Sequence, residues 1–474
     1  MAGDPHNKFN EWKQEQVVLE ELKAVRPELF ETEKRSSSII LTEIGIPKEA
    51  QTVSKGYIKF SPFDFIVEEI RKDGTVITID RAENNTQPSD IGGTTIYADL
   101  VKIGISSIEA AEHLAEALSC DRMQISYAGI KDTVAVTAQK ISIRGVSDTT
   151  VKSLTIPQLF LKNISQGKGI VGIGDLEGNR FTLYIRTTTD FNGDVLDTKM
   201  SDIASTGLYN YYGPQRFGSP RYVSHILGKY LLQGNFEKVV TSILFQTSRF
   251  EWAFVTQLRT RAQLLNNDWK VIRALFATLP YTFRSELQLL DRILRWNGIG
   301  DCWIYALGFA PDQIDLWTKS YASYLANKLL FRAETGDIQL PDTIPLLLNI
   351  SPTESARINE LYGRYLQEDG TTNFRKNIAT FPFIRMGTNS YLTTKIFPKI
   401  ISCKKMPHGL ALSFDLIKGA YATTLLYELF DIVEGDDAIE MINQDFIDTK
   451  KELGLGSFGS VREWAEQYID IKNK

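Results

Sequence analysis

YIKFSPFDFIVEEIRKDGTVITI, residues 57–79, runs in three short stretches of alternating character, YIKF, FDFIVEEI and TVITI, each bounded by Gly, Pro or Asp. Side chains along a strand point to opposite faces in turn, so this period of two predicts three strands. Downstream, SIEAAEHLAEAL (107–118) carries apolar residues at helical spacing, with Ser107 as the expected N-cap. Strands are expected again at Gln139–Ile143 and Arg180–Arg186. Upstream, the first fifty or so residues are charged; Gln14–Val25 reads as a short amphipathic helix, and SSS at 36–38 as a break after it.

Past Pro220 the texture changes to helical stretches at His225–Leu232, Phe236–Phe245, Trp252–Leu264 and Leu316–Ala333. Aromatic and β-branched residues return at Leu410–Leu416, and a helix is expected at Ala420–Asp431. A β-rich domain interrupted by a helical insert accounts for this order better than three successive domains. The last forty residues read as an acidic, helical appendage, and no repeat of 20 to 50 residues is evident.

At 474 residues the chain has room for two or three domains. A composition of 43% hydrophobic and 23% charged residues is ordinary for a globular protein. There is no apolar run near the roughly 18 residues of a membrane span, and the N-terminus lacks the apolar core of a secretory signal. Three scattered cysteines (Cys120, Cys302, Cys403) fit a reducing compartment, so a cytoplasmic location is expected, or nuclear in a eukaryote. Four histidines and no paired cysteines give a zinc site little support. The net charge of −5 argues mildly against nucleic acid. Two segments run the other way: residues 203–236 have no acid but carry Arg216, Arg221 and Lys229, and residues 395–418 set five lysines, including Lys404 and Lys405, against Asp415 alone.

Two glycine motifs mislead. Gly167-Lys-Gly169-Ile-Val-Gly172 matches GxGxxG, but it leads into a turn and a strand rather than the helix whose amide groups would hold a pyrophosphate. Gly454-Leu-Gly456-Ser-Phe-Gly459 mimics a kinase glycine loop, yet no lysine strand or catalytic loop follows it. A joint between two helices is the expected structure there.

The stretch that carries chemistry is YAGIKDTVAVTAQ, residues 127–139. A turn of small residues sets Lys131 beside Asp132, just before a β-type run. An aspartate there is ordinarily a turn-former; it can instead be a covalent nucleophile if nearby cations keep it ionised. This stretch closely resembles the active-site motif of the TruD family of pseudouridine synthases, in which the aspartate of GxKD is the nucleophile. IKFSPFDFIVEE (58–69) resembles the family's first motif, and Gly178-Asn179-Arg180-Phe181 its GNxF motif. NYYGPQRFGSP (210–220), SYASYLANKLLFR (320–332) and FDLIKGAYATTLLYEL (414–429) are similar to three later family segments, in the family's order. The likeness covers roughly residues 56–432. Gly93-Thr-Thr, Ala322 and Tyr427 depart from the family's usual Gly-x-His, glutamine and arginine, which bears on RNA preference more than on chemistry.

The resemblance implies an α+β fold: a catalytic domain with a mixed, mainly antiparallel β-sheet flanked by helices, interrupted by a largely helical α+β insertion domain. The expected divisions are 1–55 (N-terminal extension), 56–220 and 382–432 (catalytic), 221–381 (insertion) and 433–474 (appendage). It implies an RNA pseudouridine synthase, acting on tRNA and most often its D-arm, with Asp132 as nucleophile attacking either sugar or base ring. Lys59 would pair with Asp132, Phe181 would pack on the target base, and Asn179 would orient Asp132 or the base edge. Gln215, Arg216 and Phe217 are expected to line the RNA groove, and Lys131, Arg221, Lys404 and Lys405 to meet RNA. Phe65 and Glu68 read as scaffold. Isomerisation imports no group and changes no oxidation state, so neither cofactor nor metal is expected, nor a membrane partner; a monomer is expected. Two other readings compete. A glycoside hydrolase needs a second catalytic carboxylate, which nothing marks; a non-catalytic RNA binder has no use for the Asp132, Lys59, Asn179 and Phe181 set.

Overall fold

Alternating sequence becomes strand where a neighbour completes the ladder, and of the three opening runs only FDFIVEEI does so at length, as Phe65–Ile70; YIKF contributes Tyr57 alone, at the end of the strand Lys55–Tyr57. The computed structural model describes residues 5–33, 36–48, 54–81, 93–188, 193–308, 311–379, 381, 384, 387, 390–433 and 442–468. They form two compact units, one of residues 49–210 and 395–474, the other of 1–48 and 211–394. The sequence puts these divisions at 220/221 and 381/382. No helix among the described residues is long and apolar enough to cross a membrane.

The first unit is built on a sheet of ten strands among the described residues: β1 Lys55–Tyr57, β2 Phe65–Ile70, β3 Thr95–Ile103, β4 Ile125–Tyr127, β5 Val136–Arg144, β6 Leu159–Gly167, β7 Gly178–Arg186, β8 Lys399–Met406, β9 Gly409–Ile417 and β10 Asp431–Val433. The main order is β8-β9-β7-β2-β5-β3-β6, with β1 beside β7 and β10, and β4 beside β5. Only β2–β5 and β1–β10 are parallel pairs. The sheet is thus mixed and mainly antiparallel, as the resemblance implies.

The register decides which side chains share a face. Val67 lies opposite Phe181 and Glu69 opposite Asn179, while Phe181 lies opposite Phe414 on its other flank. Phe65, Val67 and Glu69 therefore share one face of β2, and Ile66 and Glu68 the other. That other face packs Ile66, Val101, Ile103, Val136 and Ala138 against Phe458, Val461 and Trp464 from the C-terminal segment. On the opposite face of β3 and β5 the helix Ser107–Ala117 covers Ile96, Leu100, Ile141 and Ile143. Its N-cap is Ser106 rather than Ser107, in a reciprocal box with Glu109.

TVITI does not pair as a strand. After the turn at Gly74 it makes one bridge, Ile70 to Val76. The Ile79 amide then donates to the Glu68 side chain at 2.9 Å, and Ile77 and Ile79 are buried under the sheet. The segment 442–468, read from sequence as an appendage, is part of the core. Phe458, Val461 and Trp464 are buried in it, and Lys450 forms a buried ion pair with Glu68 at 2.7 Å. Arg186 binds Asp64 through two nitrogens at 2.8 Å and donates to the carbonyls of Asn443 and Asp445. The glycines before the last helix, Gly459–Glu466, take positive φ, as a joint between helices requires.

In the second unit the helices Ser224–Gln233 and Pro311–Glu334 cross closely, because a Cβ on Gly228 would stand 2.0 Å from the Trp317 carbonyl oxygen. Asn327 ties three places together: it accepts from the Tyr212 amide and donates to the carbonyls of Ile44 and Tyr212. Together with the Ser320 hydroxyl on the Arg216 carbonyl, this holds residues 211–220 to this unit. The serines at 36–38 do more than break the chain: Ser36 caps a new helix, Ser37–Glu43. The first helix, Pro5–Val25, is longer than its amphipathic part suggests.

Candidate active site

Asp132 sits in the loop between β4 and β5, and its position is set by polar contacts from three strands and a helix. The Lys131 amide donates to the Ser107 hydroxyl at the start of the covering helix, at 2.9 Å. The Lys131 side chain, only 5% exposed, forms an ion pair with Glu69 of β2 at 2.9 Å and donates to the Asn179 side-chain oxygen of β7 at 2.6 Å. Lys102 of β3 donates to the Asp132 carbonyl at 2.6 Å. Buried charges persist only when partnered this way, so the loop is held where these groups converge.

Lys59 reaches Asp132 from the segment that follows β1. It follows β1 with φ of 59°, in the left-handed region that costs a non-glycine residue about 1–2 kcal/mol. Just beyond it, Ser61 and Asp64 form a capping box around the turn Pro62–Asp64, and the buried Arg186 pins Asp64. With its backbone so constrained, Lys59 places its ammonium 3.1 Å from Asp132 Oδ1 and 4.5 Å from the centre of the Phe65 ring. The two side chains are 13% and 29% exposed, so the pair is shielded yet open on the carboxylate side.

Phe65 leads to the aromatic group. Phe181 stands edge-on to Phe65 at 6.1 Å and stacks on Phe414 at 5.4 Å. Asp132, Lys59, Phe65, Phe181 and Phe414 thus form a continuous chain of contacts, and Lys131 links the same loop to Asn179. The four residues named for chemistry from the sequence, Asp132, Lys59, Asn179 and Phe181, are brought together in one unit.

The residues named for RNA contact fare differently. Lys131 is buried between Glu69 and Asn179 and positions the loop instead of offering its charge outward. Lys404 and Lys405 lie exposed on β8 and pair with Glu452 and Asp197, each at 2.6 Å. In the second unit, Gln215 is exposed and Arg216 half-buried, its guanidinium 5.4 Å from the Tyr212 ring centre. Phe217 is fully buried edge-on to His225, so it is core and lines no groove. Arg221 donates to the Gln246 carbonyl at 2.6 Å and pairs with Glu251 at 3.2 Å. Burial, with Arg259 adding to it, pushes Arg221 down to about 10; this arginine is structural.

Two participants were not singled out from sequence. Glu69 is the second of two adjacent acids, and counting by twos from Phe65 puts it, not Glu68, on the face that carries Phe65. Lys102 sits in the apolar run LVKI, where a buried lysine signals an internal partner. Among the described residues no group of three or more His, Cys, Asp or Glu side chains is placed to hold a metal ion.

Comparison with known proteins gives a consistent picture. The family model described as tRNA pseudouridine synthase D (TruD) matches residues 49–345. A relative from Methanococcus vannielii, named for tRNA pseudouridine synthase D, is 28% identical over 397 residues, covering 79% of this chain and 94% of the relative. One from Methanococcus maripaludis, named for tRNA pseudouridine synthase D 2, is 31% identical over 392 residues, with 79% and 94% covered. A crystal structure described as tRNA pseudouridine synthase D (TruD) from Methanosarcina mazei is similar in fold, with a TM-score of 0.58 at 22% identity, over 84% of this chain and 98% of that one.

Proposed function

The chain belongs to the TruD family of pseudouridine synthases and makes pseudouridine in tRNA; from that premise we propose that its target is a uridine of the D-arm and that Asp132 is the nucleophile. The observation that carries the reading is the 3.1 Å pair between Lys59 and Asp132, on a loop anchored through Lys131 to Glu69 and Asn179. The carboxylate is the nucleophilic form of this side chain, and the Lys59 ammonium donates to one of its oxygens.

In the reaction the bond from ribose C1′ to uracil N1 breaks, the base turns, and C1′ joins C5. The proton on C5 leaves to solvent, and N1 gains one. Asp132 attacks either C1′ or the base ring, and both routes end in release of the carboxylate. A uridine in a folded arm must first leave its stack, at a cost of a few kcal/mol. Phe181, backed by Phe414 and Phe65, is the surface on which the freed base rests. Base–aromatic contacts of this kind contribute about 1–3 kcal/mol. Phe181→Leu keeps an apolar side chain but no ring, so turnover is expected to fall about 5- to 150-fold, the equivalent of that contact. Single-turnover rates with the melting curve measured in parallel check it; an unchanged rate would make Phe181 a packing residue only.

The reading as a whole is tested with tRNA tritiated at C5 of uracil. Wild-type protein is expected to release tritium, and carbodiimide-directed primer extension to place the new pseudouridine in the D-arm. Release with the modification elsewhere would overturn the D-arm assignment, and no release from tRNA would overturn the substrate itself.

A further inference from the structure

Lys102 is the last residue but one of β3, between Leu159 of β6 and Thr137 of β5, and it is fully buried. An ammonium in such a place loses its hydration, which costs several kcal/mol unless protein groups replace the water. Lys102 makes no ion pair among the described residues. Its ammonium instead donates to two backbone carbonyls, Ile105 at 2.7 Å and Asp132 at 2.6 Å. The first carbonyl belongs to the turn into the helix Ser107–Ala117, and the second to the residue proposed as nucleophile. A lysine serving only to fill space would be replaced at lower cost by an apolar side chain of the same length. What an apolar residue cannot do is hold the Asp132 peptide and place a positive charge beside its carboxylate.

We infer that Lys102 is a positioning residue for catalysis: it fixes the main chain of Asp132 and brings a positive charge near its side chain, while Lys59 contacts the carboxylate itself. This rests on the assignment of Asp132 as the nucleophile. The division of labour is physical. Lys59 binds Oδ1 directly and is partly exposed; Lys102 reaches only the carbonyl and is sealed from solvent. Lys131, the third cation, is engaged with Glu69 and Asn179 and holds the loop from the β2 and β7 side.

The arrangement carries a pH signature. Burial pushes Lys102 down to about 8, against the pull of Asp132 and with a further push from Lys131. Glu109, on the covering helix, draws it slightly upward. The residues beside it on β5 and β6, Thr137 and Leu159, do not titrate in this range. Lys102 is then charged at neutral pH and loses its charge on passing about pH 8, whereas an unperturbed lysine keeps its charge to beyond pH 10. Above that point both the carbonyl anchor and the local charge weaken, and the chemical step slows.

The test measures single-turnover tritium release from C5-labelled tRNA between pH 6 and 10, together with tRNA affinity by filter binding and thermal melting. Wild type, Lys102→Met, Lys102→Gln and Asp132→Asn are compared. Displacing a reacting group by about 1 Å costs roughly a hundredfold, so Lys102→Met is expected to lose about that much rate with affinity within about twofold. Lys102→Gln, which retains one donor without a charge, should fall between, and both should lack the alkaline decline near pH 8 expected of wild type. A full rate in either variant, or a wild-type decline that persists in them, would overturn the inference. So would a loss of rate matched by equal losses of affinity and folded structure. Should Lys102→Met fail to fold, Lys102→Gln and the wild-type profile decide the matter alone. Activity in Asp132→Asn would instead overturn the nucleophile assignment, so the two failures are distinguishable.

Discussion

Asp132→Asn is expected to lower single-turnover tritium release by at least about 10⁴-fold, in the range seen when a covalent nucleophile is removed. That corresponds to roughly 5 kcal/mol or more of lost transition-state stabilisation. The substitution is nearly isosteric and leaves every anchor of the loop intact. The Lys102 contact is to the backbone carbonyl, and the Lys131 contacts are to Ser107, Glu69 and Asn179, none of which involves the carboxylate. What is lost is the anion alone. Affinity for tRNA and the melting temperature are therefore expected to stay close to wild type. Lys59, left beside a neutral amide, keeps its place over the Phe65 ring and its partial access to water. Turnover above about a tenth of the wild-type rate would remove Asp132 from the chemistry, and the anchored loop would then need another explanation. A fall in affinity equal to the fall in rate would point to a binding role, as the non-catalytic alternative requires.

Much of this site was legible in the sequence, though by two different routes. Alternation identified β2 and placed Phe65 on a strand, and extending the count by two places Val67 and Glu69 on the same face. Lys59 and Asp132, 73 positions apart, share no local pattern; only the resemblance of their motifs paired them, and the structure sets them 3.1 Å apart. Where the reading missed, the missing information was always the third dimension. TVITI has the pattern of a strand, but the Glu68 side chain takes the Ile79 amide that a neighbouring strand would have taken. GPQRFGSP is expected to line the RNA groove through Gln215, Arg216 and Phe217. Yet Phe217 from its centre is core, and Arg221 just beyond it is held by carbonyls of another helix. Lys131 beside Asp132 invites an electrostatic reading toward RNA; that its partner is Glu69 depends on which strand adjoins which. Local spacing reports the face a residue takes, and only the strand order reports what lies opposite.

The same argument makes the C-terminal segment the site of the second large effect. Deletion of residues 442–474 is expected to leave the sheet-bearing unit unfolded. The segment contributes Phe458, Val461 and Trp464 to the buried side of β2, β3 and β5, with Phe446 against Phe63. Burying side chains of this size contributes about 1.5–3 kcal/mol each. Lys450 neutralises Glu68, and removing one partner of a buried ion pair typically costs about 3–5 kcal/mol. Arg186 would also lose two carbonyl acceptors, keeping its pair with Asp64. Together these losses match or exceed the roughly 5–15 kcal/mol that holds a domain folded. Circular dichroism and limited proteolysis should show the β-signal lost and the residues around β2 and β7 open to cleavage. Lys450→Met is the milder form of the experiment: it leaves Glu68 buried without its ion-pair partner, and should lower the urea midpoint by the equivalent of about 3–5 kcal/mol. A truncated protein with an unchanged melting curve would return the segment to the status of an appendage. The effect reaches catalysis through β2, where Glu68 and Glu69 are successive residues pointing to opposite faces. One is neutralised by Lys450 on the packed side, the other by Lys131 on the side of Asp132. Releasing the first frees the strand that holds the second, so a partial loss of the tail's grip should slow turnover before the unit unfolds.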